Sequence, residues 1–220
     1  MCNFERMWDA IGHQLRSPSG WQGRLAGRVM EFVNREPNRH AIAALDLARD
    51  STVLELGCGP GMALKQMASA ATLGLVLGLD ASSEMLRQAA RRNRSAIESG
   101  RVKLALGRFE KLPFPSESID RVLAVNVAYF FGSNAELSEV HRVLRPGGRV
   151  VIYATDRETM SAWKFAGPDT HTLVDERSLR TALEAAGFES QRTEIRKLAF
   201  FNIRGLLAVS GKPLLPSATE

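Results

Sequence analysis

The stretch Val53-Leu54-Glu55-Leu56-Gly57-Cys58-Gly59-Pro60-Gly61 constrains this chain more than any other. A short apolar, β-branched strand runs into three glycines at alternate positions, then onto a helix-period pattern over residues 62–71. Glycine tolerates positive φ and leaves no Cβ between the backbone and whatever lies over the turn. A strand, tight turn and helix start of this kind gather backbone N–H groups and the positive helix end where a polar ligand can meet them. Two acids frame the turn. Glu55 stands two positions before the first glycine, and Asp80 closes the next apolar run, residues 73–79.

Beyond Asp80 the chain keeps alternating. Ser82 is placed to cap a helix with Glu84 in its first turn, Met85, Leu86, Ala89 and Ala90 on its inner face, and Arg87, Arg91, Arg92 and Arg94 on a solvated outer face. Residues 102–106 read as a third strand and residues 119–125 as a fourth, which begins near Asp120 and ends at Asn126. Ser133 or Asn134 opens a helix whose Leu137, Val140, Val143 and Leu144 share a face; Arg145-Pro146-Gly147-Gly148 is read as its stop, before a fifth strand over 149–154. An irregular segment, 155–173, precedes a helix capped by Asp175 and ended by Gly187. Two closing strands, about 189–198 and 200–210, are joined too closely for a crossover and should run antiparallel. Seven strands alternating with helices make an α/β fold, mainly parallel and covered on both faces. At 220 residues one such domain is expected.

Residues 1–38 form a separate N-terminal helical extension, expected to cover the pocket as a lid on a domain spanning 39–220. Within it Trp21, Leu25, Val29, Phe32 and Val33 fall on one helical face, and Arg24, Arg28 and Arg35 on another. Such a helix packs on a core or, through residues 21–35, touches a membrane surface peripherally. The net charge of +5 is spread over scattered arginines, with no basic run interleaved with stacking aromatics, so no nucleic-acid partner is expected. Only Cys2 and Cys58 are present, too few for a disulfide framework or a thiolate metal site. Glu5, Arg6 and Asp9 stand where a signal peptide would carry its apolar core, and a cytoplasmic location is expected.

Taken together, four signals resemble the class I S-adenosylmethionine-dependent methyltransferases over about residues 40–210. They are the Glu55 to Gly61 turn, Asp80 after the second strand, Leu112-Pro113-Phe114-Pro115 ahead of Asp120, and Val143-Leu144-Arg145-Pro146-Gly147-Gly148. The resemblance implies a Rossmann-like sheet, S-adenosyl-L-methionine as cofactor with S-adenosyl-L-homocysteine as product, and a small-molecule acceptor. It implies that Gly57, Gly59 and Gly61 let the methionine part approach, with Cys58 a small filler beside it and Glu55 organising the turn and the cofactor's amino group. Asp80 would accept the ribose hydroxyls, Ala81 and Met85 would lie near the adenine, and Asn126 would belong to the lip facing the sulfur. One position departs from the family pattern. Gly107-Arg108-Phe109 replaces a glycine followed by an acid or amide, so the adenine edge would be met by the Phe109 backbone, with Arg108 or Phe109 stacking on the ring.

Methyl transfer from a sulfonium is an in-line displacement, and proximity can supply roughly 7–11 kcal/mol of its barrier. Where the nucleophile must lose a proton, Tyr129 and His171 are the catalytic candidates, with Asp156 and Asp169 nearby in sequence. The run Tyr129-Phe130-Phe131 also suits the wall of an acceptor pocket. Asn126-Val127-Ala128-Tyr129 lacks the double proline of amino-methylating nucleic-acid enzymes, which favours a small acceptor. Three alternatives stay open: a phospholipid-headgroup N-methyltransferase, a nicotinamide-dependent oxidoreductase and a non-catalytic cofactor-binding protein. The Gly-x-Gly-x-Gly spacing argues against the nicotinamide reading.

Overall fold

The structure is a computed structural model, and it describes residues 34–131, 134–164, 166 and 171–214. The helical pattern read around Trp21 to Val33, the cap at Ser133 and the candidate Asp169 lie outside these residues. In chain order the elements are α1 (Arg35–Leu45), β1 (Thr52–Leu56), α2 (Met62–Ala70), β2 (Leu75–Asp80), α3 (Ser83–Arg92), α4 (Arg94–Glu98), β3 (Val102–Leu106), β4 (Ile119–Val125), α5 (Ala135–Val143), β5 (Leu144–Thr155), α6 (Arg157–Ser161), α7 (Glu176–Ala185), β6 (Thr193–Phe200) and β7 (Ile203–Gly211). One sheet of order β3-β2-β1-β4-β5-β7-β6 contains every strand. Pairings are parallel from β3 through β5, and β7 runs antiparallel to both β5 and β6. This is the Rossmann-like, mainly parallel α/β sheet with a C-terminal antiparallel pair that the alternation of patterns led us to expect.

Side-chain alternation along the strands sorts the core into two layers. On one face Leu54, Leu56, Val122, Ala124 and Ile152 pack against Leu137, Val140 and Val143 of α5 and Leu179 and Leu183 of α7. On the other, Val53, Val76, Leu123, Val125 and Val151 meet Ala41 and Leu45 of α1 and Ala63, Leu64 and Met67 of α2. A sheet buried on both faces explains why these strands read as continuous apolar runs.

The closing strands are shifted a few residues along the chain, to 193–200 and 203–211, and three other boundaries differ from the sequence reading, each for a local reason. Helix α1 starts at Arg35, ahead of the expected residue 39, because Pro37 falls in its first turn, where a missing N–H costs nothing. Strand β2 starts at Leu75, since Gly74 lies against Ser51: a Cβ there would come within 2.1 Å of the Ser51 carbonyl oxygen. The run Arg145-Pro146-Gly147-Gly148 is part of β5 and not a free turn. Leu144 pairs with Ile119, the register shifts before Arg121, and the Gly147 and Lys212 N–H groups donate to Lys212 and Gly148 carbonyls.

The order of strands also fixes the ligand crevice. The chain winds outward from β1 to β3, then returns to the other side of β1 with β4 and β5. The crevice at such a reversal opens at the carboxyl ends of β1 and β4. The Glu55 to Gly61 turn and Asn126 stand at those ends.

Candidate active site

After β1, Gly57, Gly59 and Gly61 all have positive φ, at 63°, 49° and 78°. Their surroundings separate their roles. A Cβ on Gly57 would fall 2.4 Å from Val127 Cγ1, and one on Gly61 would fall 2.6 Å from Asn93 Nδ2. Among the described residues nothing lies within 4 Å of a Cβ built on Gly59. Packing inside the protein therefore demands glycine at two of the positions, and only Gly59 looks onto open space. Cys58 is buried, and burial, with Glu55 and Asp80 nearby, pushes its thiol well up, so it stays neutral. Its N–H donates to the Leu79 carbonyl, which ties the turn to the end of β2.

Asp80 holds that turn in place. Its Oδ2 accepts from Gly59 N–H and its Oδ1 from Ser82 N–H, both at 2.8 Å, and the Ala81 N–H contributes as well. Ser82 itself caps α3 by accepting from Met85 N–H. Ala81 is exposed at the strand end, whereas Met85 is buried beneath it. Glu55 is buried on the α2 side, where one oxygen accepts from Leu64 N–H in the first turn of α2. Its Oε2 has no partner among the described residues. Burial raises both carboxyls, but Asp80 has three backbone donors and Glu55 has one. Glu55 is thus the one pushed well above the usual carboxylate range, by desolvation first and by the Asp80 charge second.

The loop after β3 divides Arg108 from Phe109. Arg108 is exposed and pairs with Glu110 at 2.9 Å, so of the two residues expected to stack on the adenine ring, Arg108 or Phe109, it is Phe109 that turns inward. Phe109 is half-buried and edge-on to Phe131, with ring centroids 5.6 Å apart. Its ring tip would lie 3.5 Å from a Gly57 Cβ, so it reaches over the glycine turn.

Asn126 is the hub of the other wall. It has φ 55°, and its Oδ1 accepts from the Tyr129 hydroxyl and from Thr155 N–H and Oγ1. Because Thr155 N–H can only donate, the atom facing it must be the amide oxygen, which leaves Nδ2 to donate to Asn34 Oδ1 at 2.6 Å. Asn34 makes no capping bond to its own helix α1. Neither Asn34 nor Thr155 stood out in the sequence, since their partners are distant in the chain. Tyr129 is buried, and burial carries its phenol far above the ordinary tyrosine value. Its hydroxyl donates to Asn126 Oδ1, and burial disfavours loss of its proton. His171, also buried, brings its ring to 5.8 Å from Tyr129 and 5.2 Å from Phe130. Asp156 is committed to capping α6 through Thr159 N–H.

A family model described as a methyltransferase domain matches residues 54–152. The chain is also 30% identical over 194 residues to the uncharacterized methyltransferase YdaC of Bacillus subtilis, covering 88% of this chain and 99% of that protein. This chain belongs to the S-adenosylmethionine-dependent methyltransferases. The methyltransferase is 30% identical over 128 residues to the ubiquinone/menaquinone biosynthesis C-methyltransferase UbiE of Geotalea daltonii, spanning 57% of this chain and about half, 54%, of that relative. Among solved structures, one of the Haloferax volcanii Trm112 methyltransferase activator in complex with a methyltransferase superposes with a TM-score of 0.75 at 23% identity, over 86% of this chain and 94% of the matched one. That likeness concerns the fold. The methyltransferase uses S-adenosylmethionine as its cofactor, and two features of the site fit such a cation-bearing nucleoside. One is the open space over Gly59, and the other is the unpartnered buried oxygen of Glu55. No helix among the described residues is long and apolar enough to cross a membrane.

Proposed function

We propose that this methyltransferase alkylates a small-molecule acceptor with an apolar or aromatic body, seated against the rings that follow β4. The observation that carries this reading is the ring cluster of Tyr129, Phe130 and His171 beside the Phe109–Phe131 pair, next to the contact of Gly57 with Val127. Aromatic walls with few polar groups suit such a molecule. In this reading the Gly59 backbone admits the methionine part, Glu55 Oε2 faces its ammonium, and Asp80 offers its remaining acceptor capacity to the ribose. When bound, S-adenosylmethionine supplies an electrophilic methyl group on a sulfonium. The residues of this chain orient and enclose. Asn126 fixes the Tyr129 hydroxyl, whose lone pairs then accept an O–H or N–H of the acceptor, and the rings exclude water. Positioning of this kind needs no strong base, and where a proton must leave, this reading gives its removal to His171, which stands beside Tyr129 and Phe130.

The part of the expected extension that precedes α1 is assigned the cover of this site, because Asn34, at the start of α1, is bonded into it through Asn126. A phospholipid-headgroup amine is the second reading, favoured by ring faces that also suit an ammonium cation. The deciding experiment supplies methyl-labelled S-adenosylmethionine with either a low-mass metabolite extract or phosphatidylethanolamine vesicles. Label in the small-molecule fraction supports the first reading and label in lipid the second. Label confined to protein or nucleic acid would overturn both.

A further inference from the structure

The loop from β3 to β4 has no regular secondary structure, yet it carries Phe109 over the glycine turn. Its upstream end is fixed by Gly107 N–H, which donates to the Asp80 carbonyl at 3.1 Å. Its downstream end is fixed by α5. Arg142 and Glu139, one turn apart on α5, form a two-pronged pair: Nε to Oε1 at 2.6 Å and Nη2 to Oε2 at 2.8 Å. Such a fork is rigid as well as strong. Both partners then grip the loop. Glu139 Oε2 accepts from Leu112 N–H at 2.8 Å, and Arg142 donates to the Leu112 carbonyl at 3.1 Å, the Phe114 carbonyl at 3.0 Å and Ser116 Oγ at 3.2 Å. The end of α5 adds backbone acceptors for Glu117 and Ser118 N–H.

We infer that the Glu139–Arg142 pair is a positioning device for cofactor recognition: by clamping Leu112 and Phe114 it sets where Phe109 and its backbone stand against the adenine edge. Surface pairs of this type contribute little to stability on their own. Here the side chains are partly buried, at 18% exposure for Glu139 and 35% for Arg142, and the guanidinium spends its donors on loop carbonyls, an arrangement that serves placement. The positions after Gly107, Arg108 and Phe109, carry no acid or amide side chain, and Arg108 pairs outward with Glu110. Backbone placement must then supply the discrimination, and the clamp fixes that backbone.

This inference rests on the proposed cofactor placement, extended by seating the adenine edge against the Phe109 backbone, and its test separates the two. Isothermal titration compares S-adenosylhomocysteine with S-inosylhomocysteine, which lacks the exocyclic amine, on the full chain and on Arg142→Met, Arg142→Lys and Glu139→Gln. The wild type should prefer the adenine compound. Arg142→Met should weaken S-adenosylhomocysteine about tenfold, some 1.4 kcal/mol, and bring the ratio of the two affinities toward one. Arg142→Lys, which can still donate to loop carbonyls, should recover part of that ratio. Thermal unfolding of each variant establishes that titrations are run on folded protein, and Glu139→Gln supplies the same reading if Arg142→Met does not fold. A ratio unchanged in the folded variants overturns the clamp while leaving the cofactor placement standing. A wild type that binds both compounds equally overturns the placement, and the inference with it.

Discussion

Glu55 and Asp80 are two buried carboxyls that share a turn but divide its donors unequally, and the division has a measurable sign. The Glu55 carboxyl is raised in the folded chain by burial and by Asp80. Its contribution to stability is therefore complete below the unfolded carboxylate pKa, about 4.3, and is lost as pH rises toward the folded value. Glu55→Gln, neutral at every pH, should be more stable than the wild type without cofactor at pH 8, with the gap closing by about pH 4.5. Urea unfolding of the two proteins across that range checks it, and parallel stability curves would refute the shift. At this scale the sequence was legible where a residue's role follows from its strand position, as for Glu55 and Asp80. It was not legible where a loop side chain chooses between neighbours. Arg108 and Phe109 looked equally able to meet a ring, and Glu110, two positions on, took Arg108 away. The Asn34–Asn126 bond joins residues that no local pattern connects.

Among the elements, the β6–β7 hairpin and the C-terminus of α5 show opposite uses of local chemistry. The hairpin turns at Phe201, which has φ 56° and is 92% exposed. A side chain in the left-handed region costs roughly 1–2 kcal/mol, and this ring recovers almost none of that by burial. Phe201→Gly should raise stability by up to about 1 kcal/mol, once glycine's own entropy cost is set against the relief. A thermal midpoint that falls would show that the ring contributes something the folded contacts do not display. At α5, Lys212 Nζ satisfies three acceptors, the His141 and Leu144 carbonyls and Glu117 Oε1. Lys212→Met leaves the two carbonyls without that donor and should cost about 1–3 kcal/mol in chemical denaturation, against near-zero change for an exposed lysine such as Lys103. The strands were readable from apolar runs, but Arg145-Pro146-Gly147-Gly148 has the composition of a turn. Its bonds to Lys212, the residue after β7 and far along the chain, continue the strand beyond the Leu144–Ile119 pair.

For the whole molecule, alternation of patterns implied the layer architecture, and the sheet order adds what no linear pattern contains: where the winding reverses. That reversal brings the turn after β1 against the segment after β4, and Asn34 attaches the chain ahead of α1 to the same place. If residues 1–33 cover the site, their removal should accelerate S-adenosylhomocysteine release several-fold while the unfolding midpoint of the remaining domain stays near that of the full chain. Stopped-flow displacement and calorimetry read the two quantities, and an unchanged release rate would dismiss the cover. One further consequence follows from the division of labour around Gly57 and Val127. The proposed cofactor-side groups come from the chain between Glu55 and Phe109, and the proposed acceptor wall from Asn126 to Phe131 and from around His171. The two sets touch along a single seam with no spare volume at Gly57. Acceptor preference can then be exchanged by grafting the later segments from another member of the family, provided the graft keeps a side chain of valine's shape at position 127. The fold is thus a chassis with one fixed coupling and one replaceable tool.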